Sequence, residues 1–477
     1  MADRFLDDDF LLTGESARRL FHEAAAGAPI VDFHTHLSGA DIARDRAYGT
    51  LTEVWLEDDH YKWRAMRLAG VEERLISGDA DPWDRFAAWA QTVPRLVHNP
   101  LYVWTHLELR RVFGIDLPLS PATAREVWDE ANRQLPTVTA RRLLARFSVS
   151  VLATTDDPGD DLASHRRIAH ESGGAHGLVV PTWRPDPAHR LLGEPTAWNA
   201  WADRLGACVG VGVEDLQSLA EALRRSYRRF VELGGRASDH GLDSVPDAAR
   251  HADAADAAVR GVRRGAPASA EGRCALTTEV LHLAGDLAHE HDCVLQLHLG
   301  ALRDVSPRVR AALGHDAGAD AIGDDPQAPG LARFLGQLEA EGRLPRVVLY
   351  NANPRDNTLF GAMAGAFSLP GVPSPVQWGP PWWFNDHESG IRRQLEELAQ
   401  VGQLAGFVGM VTDARSPLSM TRHELFRRIL CDVVGGDVDR GLLPGDLAWL
   451  SEVVRELCAV NAMRFFGFAA PAVSPWG

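Results

Sequence analysis

Two histidines, His34 and His36, stand one residue apart at the end of the apolar run 29–33, in the stretch VDFHTH. Alternation along a strand sends positions i and i+2 to one face, so both imidazoles would aim the same way. Such a pair suits Zn²⁺ or a similar divalent ion, which takes nitrogen ligands, needs a third protein ligand and keeps an open position. Asp413, at the end of the late run GFVGMVTD, supplies that carboxylate if its strand lies beside the first. The competing reading makes the histidines hydrogen-bonded core residues. His298, at the end of CVLQLH, and Asp413 favour the metal, because both also fall at expected strand ends.

Three arginines form a second group. Arg184, Arg303 and Arg415 each lie within a few residues of an expected strand end. A guanidinium grips a carboxylate through a planar fork of donors, so several at one mouth imply an anionic substrate. Ordinary surface salt bridges are the alternative in a chain this rich in arginine. Tyr61, in DHYKWRAMR, is either a packing residue on a helix or an acid–base group beside a cation. Trp382 and Trp383 read as core or rim aromatics that could wall a sugar ring. Lys62 is the single lysine, which leaves Schiff-base and carbamate chemistry one donor. No GxSxG elbow, GxxxxGK[ST] loop or GxGxxG turn is present, which sets hydride and phosphoryl transfer aside.

The elements that must position these groups are short apolar runs, several followed by helix-compatible stretches. They are PIVDFHTH, SVSVLATTDD, GLVVPTWRPD, GGRASDHG, CVLQLHLG, RVVLYNANP, SPVQWGPPWWFND and GFVGMVTDAR. Eight such runs predict an α/β chain folded as a distorted (β/α)₈ barrel of the TIM type, although GGRASDHG is polar and weak. Polar residues finish nearly every run, including Asp156, Asp157, Arg184, Asp239, His240, His298 and Asp413, and the C-terminal face of such a barrel is where a site forms. Residues 1–49 would hold an N-terminal helix and the first strand. An inserted α-helical subdomain is expected over 50–145, the rest of the barrel over 146–468, and a loosely ordered tail over 469–477. The Ala-rich stretch 243–270 is expected to be partly mobile.

The 477 residues carry a formal charge of −16, which argues against a nucleic-acid partner. Five scattered cysteines without CxxC spacing indicate reduced, buried thiols. No signal-peptide pattern and no apolar run of about 18 residues occurs, so a cytoplasmic enzyme that spans no membrane is expected.

The segments DFHTHL, DHYKWRAMR, NPLYVWTHLEL, TTDDP, PTWRPD, LQLHLGALR, WWFND, FVGMVTDARS and TRHELFRRILC together resemble the uronate (glucuronate) isomerase family, an outlying branch of the amidohydrolase superfamily. The resemblance runs from about Phe10 to Phe468. It implies interconversion of D-glucuronate with D-fructuronate, or of D-galacturonate with D-tagaturonate, and a homo-oligomer. It implies one divalent metal, usually zinc, on His34, His36 and Asp413. Further site positions fall on Tyr61, Arg184, Asp239, His298, Arg303, Trp382 and Arg415. Arg415 would polarise the reacting oxygens with the metal. Asp413 or metal-bound water would serve as base, Tyr61 as partner acid or base, and His298 and Asp239 would bond the sugar chain. Arg184 and Arg303 would hold its carboxylate.

Of three departures from the family pattern, the first should be harmless because the middle residue points away from the ligands, and the other two bear on the sugar. Thr35 replaces the usual cysteine between the histidines, RDVSPR replaces asparagines after Arg303, and WGPPWWFND replaces Gly-Ser-Gly before the tryptophans. A metal-dependent hydrolase of an acidic-sugar lactone or amide is the alternative activity, and a catalytically silent sugar-acid sensor is a third.

Overall fold

The computed structural model describes residues 5–172 and 178–469. Nine strands appear among them: β1 (Ile30–Asp32), β2 (Val149–Ala153), β3 (Leu178–Val180), β4 (Ala237–Leu242), β5 (Val294–Leu299), β6 (Ala301–Leu302), β7 (Ala321–Ile322), β8 (Arg346–Asn351) and β9 (Val376–Trp378). Two parallel sheets, ordered β1-β2-β3 and β4-β5-β8-β9, carry the architecture, and β6 and β7 form a small antiparallel pair. Parallel bridges from Asp156 to Trp183 and from Trp183 to Ser238 join the two sheets. The strands β2 and β5 are buried along their whole length, as expected where helices cover both faces of a parallel sheet. The polar run GGRASDHG is β4, paired with β5 from Ala237 to Leu242.

Seven of the eight expected runs contain a strand. The eighth does not: residues 407–413 form no strand. Gly409 at φ +94° and Asp413 at φ +50° break the regular pleat. The segment still docks on β1. Asp413 N–H donates to His34 O at 3.2 Å, and His36 N–H donates to Ala414 O at 2.9 Å. Gln377 Nε2 reaches Gly406 O at 3.0 Å from the β9 side.

Between β1 and β2 the chain is helical, with helices at Leu51–Leu56, His60–Leu68, Pro82–Thr92, Pro100–Glu108, Ala124–Gln134 and Ala140–Arg146. The Asp59 side chain caps the second of these by accepting from Tyr61 N and Lys62 N, which fixes His60 and Tyr61 in its first turn. The stretch 243–270 is regular over part of its length. It contains the helix Ala252–Arg263, whose Ala255, Ala258, Val259 and Val262 recur at helical spacing and are buried. Residues 470–477 of the expected tail lie outside the described residues. No described helix is long and apolar enough to cross a membrane.

Candidate active site

His34 and His36 follow β1 directly, and both Nε2 atoms approach a single oxygen, Asp413 Oδ1, at 3.1 and 3.2 Å. Thr35 faces elsewhere: its hydroxyl donates to Ala153 O at 3.0 Å, so the residue between the histidines stays clear of their ligand atoms. Trp382 Nε1 donates to the other oxygen, Asp413 Oδ2, at 3.1 Å. Burial pushes the His36 imidazole down to about 4, which keeps it neutral as metal ligation requires. Burial works against charge on Asp413, but the two histidines more than offset it and hold the carboxyl well below the usual range. Two imidazole nitrogens and a carboxylate oxygen, all within 4.8 Å of one another, are a fitting donor set for a divalent ion.

A second cluster shares His34. His298 Nδ1 lies 2.6 Å from Asp239 Oδ1, and Arg184 Nη1 lies 2.9 Å from Asp239 Oδ2. With Nδ1–H committed to the carboxylate, His298 presents the lone pair of Nε2, a buried atom without a protein partner. Its ring stacks on Tyr350 at 4.0 Å and meets Trp382 edge-on at 4.7 Å, which locks its orientation. Although His34, Asp239 and His298 also lie within ligand distance of one another, Asp239 is already paired, so the first cluster fits a metal better.

Arg184 is less free than its sequence position implies. Besides Asp239 it contacts Asp186 Oδ2 through Nε at 3.0 Å. Asp186 in turn accepts from Gly241 N–H at 3.1 Å. A Cβ at position 241 would stand 2.8 Å from Arg184 Nη2, so this packing needs glycine. Two buried carboxylates thus neutralise one guanidinium, and Arg184 organises Asp239 as much as it faces the cavity.

That cavity has a volume of about 320 Å³, at the small-molecule end of the usual range. It brings together His34, His36, Arg184, His298, Arg303, Trp382, Asp413 and Arg415 from the sequence reading. Asp239 lies behind them, bonded to Arg184 and His298. Arg303 stacks over Trp383 at 4.7 Å and pairs with Asp316 at 3.2 Å and Asp320 at 3.5 Å. Arg415 Nε is buried without a partner.

Tyr61 is not among the lining residues. It faces a neighbouring cavity of about 220 Å³ with Trp104, Trp383 and Asp386, and His60 takes the wall position instead. Burial and the Asp413 carboxylate push its phenol well above the ordinary range. Among the lining residues that the sequence did not single out are His60, Arg190 and Asp316. His60 was legible as Tyr61's neighbour behind a helix cap, and Arg190 as the residue four after Asp186. Asp316 had no local signal. Against the upward push of burial, Arg303, Arg415 and Arg190 hold its carboxyl down to about 2.

The glucuronate isomerase family model matches residues 2–466. The chain belongs to the glucuronate isomerase family. A uronate isomerase of Vibrio vulnificus (strain YJ016) is 45% identical over 466 residues, covering 97% of this chain and 98% of the relative. One from Histophilus somni (strain 2336) is 42% identical, covering 97% and 99%. Among solved structures, the uronate isomerase of Thermotoga maritima superposes with a TM-score of 0.91 at 35% identity, over 97% of this chain and all of that one. The glucuronate isomerase of Caulobacter crescentus, at 24% identity and a TM-score of 0.89 over 98% of each chain, shares the fold. Membership of the glucuronate isomerase family disfavours the hydrolase alternative.

Proposed function

We propose that this chain is a uronate isomerase that interconverts D-glucuronate and D-fructuronate, and the corresponding galacturonate pair, through an enediol. The observation that carries this reading is a cavity lined by arginines that opens onto His34, His36 and Asp413, in a chain of the glucuronate isomerase family. The same reading takes the two linked sheets and the docked segment 407–413 as a closed, distorted (β/α)₈ barrel, with 50–145 as its inserted subdomain.

His34, His36 and Asp413 would hold one divalent ion, zinc by family resemblance, although nitrogen and oxygen donors also accept Mn²⁺, Fe²⁺ or Co²⁺. When bound, that ion supplies Lewis-acid polarisation of a sugar oxygen. Asp413 is the candidate to accept the proton at carbon 2 and return it at carbon 1. Arg415, whose charge faces the cavity, stabilises negative charge as it develops on the reacting oxygens. The His298 Nε2 lone pair, oriented by Asp239 and Tyr350, accepts a hydrogen bond from a sugar hydroxyl. Trp382 and Trp383 form the apolar wall. Arg303 and Arg190 anchor the distal carboxylate, with Arg184 holding Asp239 in place. Tyr61 would act on the site only through His60 or a moved side chain.

Proton NMR of the purified chain in D₂O with each uronate, alongside its metal content, tests the activity. Appearance of the 2-ketose with about one metal per chain is the expected result; an unchanged aldose beside a folded, metal-loaded chain refutes it. Arg303→Met is expected to raise KM for the uronate about 10- to 100-fold, because a hydrogen bond to a charged group contributes roughly 1.5–3 kcal/mol. Steady-state kinetics check this. An unchanged KM would make Arg303 structural.

A further inference from the structure

Behind one wall of the cavity lies a hydrogen-bonded chain that the scheme above leaves unused. Asp156 and Thr155 line the cavity just past the end of β2. Thr154 Oγ1 lies 2.6 Å from Asp156 Oδ2 and 2.8 Å from His165 Nε2. Val180 O, at 3.2 Å, is a longer alternative acceptor for the same hydroxyl. Thr154 and His165 are both buried.

We propose that Asp156 is a catalytic residue of this site, the group that carries the hydroxyl proton between the two reacting oxygens of the uronate, with Thr154 and His165 as its positioning residues. The inference rests on the isomerase reading. Moving hydrogen from carbon 2 to carbon 1 is only half of the reaction: oxygen 1 must also gain a proton and oxygen 2 must lose one. Asp156 as the acid gives its proton to oxygen 1 as the aldehyde C=O becomes C–OH. The resulting carboxylate then takes the proton from oxygen 2 as that carbon becomes the ketone. The group ends as it began, and no proton is consumed.

Thr154 is suited to this task because a hydroxyl both donates and accepts. When Asp156 is ionised, Thr154 donates to it and accepts from His165 Nε2–H. When Asp156 is the acid, its proton sits on Oδ1, the oxygen that Thr154 does not touch, and Thr154 keeps donating to Oδ2. Each protonation state is therefore satisfied with the heavy atoms in place. The surrounding charges agree. Burial pushes the Asp156 carboxyl up to about 7, opposed by the Thr154 bond and aided by Asp160. Burial also pushes His165 down to about 4, which keeps its ring neutral and able to take either tautomer. The other charged or titratable groups lining this cavity are His34, His36, His60, Asp157, Arg184, Asp186, Arg190, His298, Arg303, Asp316, Asp413 and Arg415. A carboxyl poised near the working pH is what efficient proton transfer requires.

The test compares kcat and KM against pH for the wild type, Asp156→Asn, Thr154→Val and Thr154→Ser, all with bound metal. Activity of the wild type is expected to fall as pH rises through about 7, where Asp156 loses its proton. Asp156→Asn should lower kcat on the order of 10²-fold or more, abolish that limb, and leave KM within a few-fold. Thr154→Val removes a bond that lowers the Asp156 pKa, so its limb should move to higher pH with a reduced kcat, and Thr154→Ser should restore both. An Asp156→Asn chain with wild-type kcat and limb, or with only KM raised, overturns the proposal. If that variant does not fold, identical profiles for Thr154→Val and Thr154→Ser overturn it instead. A wild type that converts neither uronate overturns the isomerase reading and this one together.

Discussion

Replacing Asp413 with asparagine is expected to lower kcat on the order of 10³-fold or more and to weaken binding of the divalent ion proposed at this site, while the fold survives. Asp413 sits at φ +50°, in the left-handed region, and asparagine is one of the few side chains that accept that conformation readily. The amide also has nearly the same shape, and its oxygen can still accept from Trp382 Nε1. The charge is what disappears. His34 and His36 converge within 3.2 Å on one carboxylate oxygen, and an amide oxygen is a much weaker partner for a cation than an ionised carboxylate. Lewis-acid stabilisation is worth several kcal/mol, and each 1.4 kcal/mol is a factor of ten in rate. Kinetics, metal analysis and circular dichroism on one preparation check the prediction. Near-normal turnover would remove Asp413 from both the metal site and the role of base.

Arg184→Met is expected to do the reverse: to damage the structure first and the chemistry as a consequence. Asp239 is wholly buried and Asp186 nearly so, and Arg184 is the guanidinium that contacts both, at 2.9 and 3.0 Å. Removing one partner of a buried ion pair typically costs about 3–5 kcal/mol, because the remaining charge is stranded in a low dielectric. Burial alone would raise the Asp186 and Asp239 carboxyls. Arg184 is the principal group that instead keeps both well below the ordinary carboxylate range. A depressed carboxylate pKa contributes stability that is present above the unfolded value of about 4 and is lost progressively as pH falls below it. The stability gap between wild type and Arg184→Met should therefore be widest at neutral pH and narrow in acid. Denaturant unfolding at pH 7 and pH 3.5 measures it; an equal gap at both would mean that Arg184 stabilises by packing alone.

Seven strands and the site face they share were readable because each strand announces itself within a few residues. In VDFHTH and CVLQLHLG the apolar alternation and the terminal histidine lie in one short stretch. The eighth run misled for an equally local reason. GFVGMVTDAR has strand composition, but Gly409 and Asp413 take positive φ to bring Asp413 onto the histidines. That demand comes from the site and leaves no mark on hydrophobic pattern. The helix over Ala252–Arg263 has a face of small side chains, Ala255 and Ala258 beside Val259 and Val262, whose apolar signal is weak until a partner helix covers it.

By itself the sequence determined which side chains could meet. Spacing by two along an extended segment lets His34 and His36 point the same way, and residue type qualifies them as ligand candidates, Arg303 as a candidate anion clamp and Asp156 as a carboxylic acid. Tertiary structure alone decided what each group is free to do. Arg184 is tied to Asp239, 55 positions away in the chain, Tyr61 turns into a neighbouring cavity, and the loop before β7 delivers Asp316 among the arginines. Charge compensation and desolvation act over a few ångströms of space, and neighbours at that distance are set by packing between elements, which no local spacing encodes.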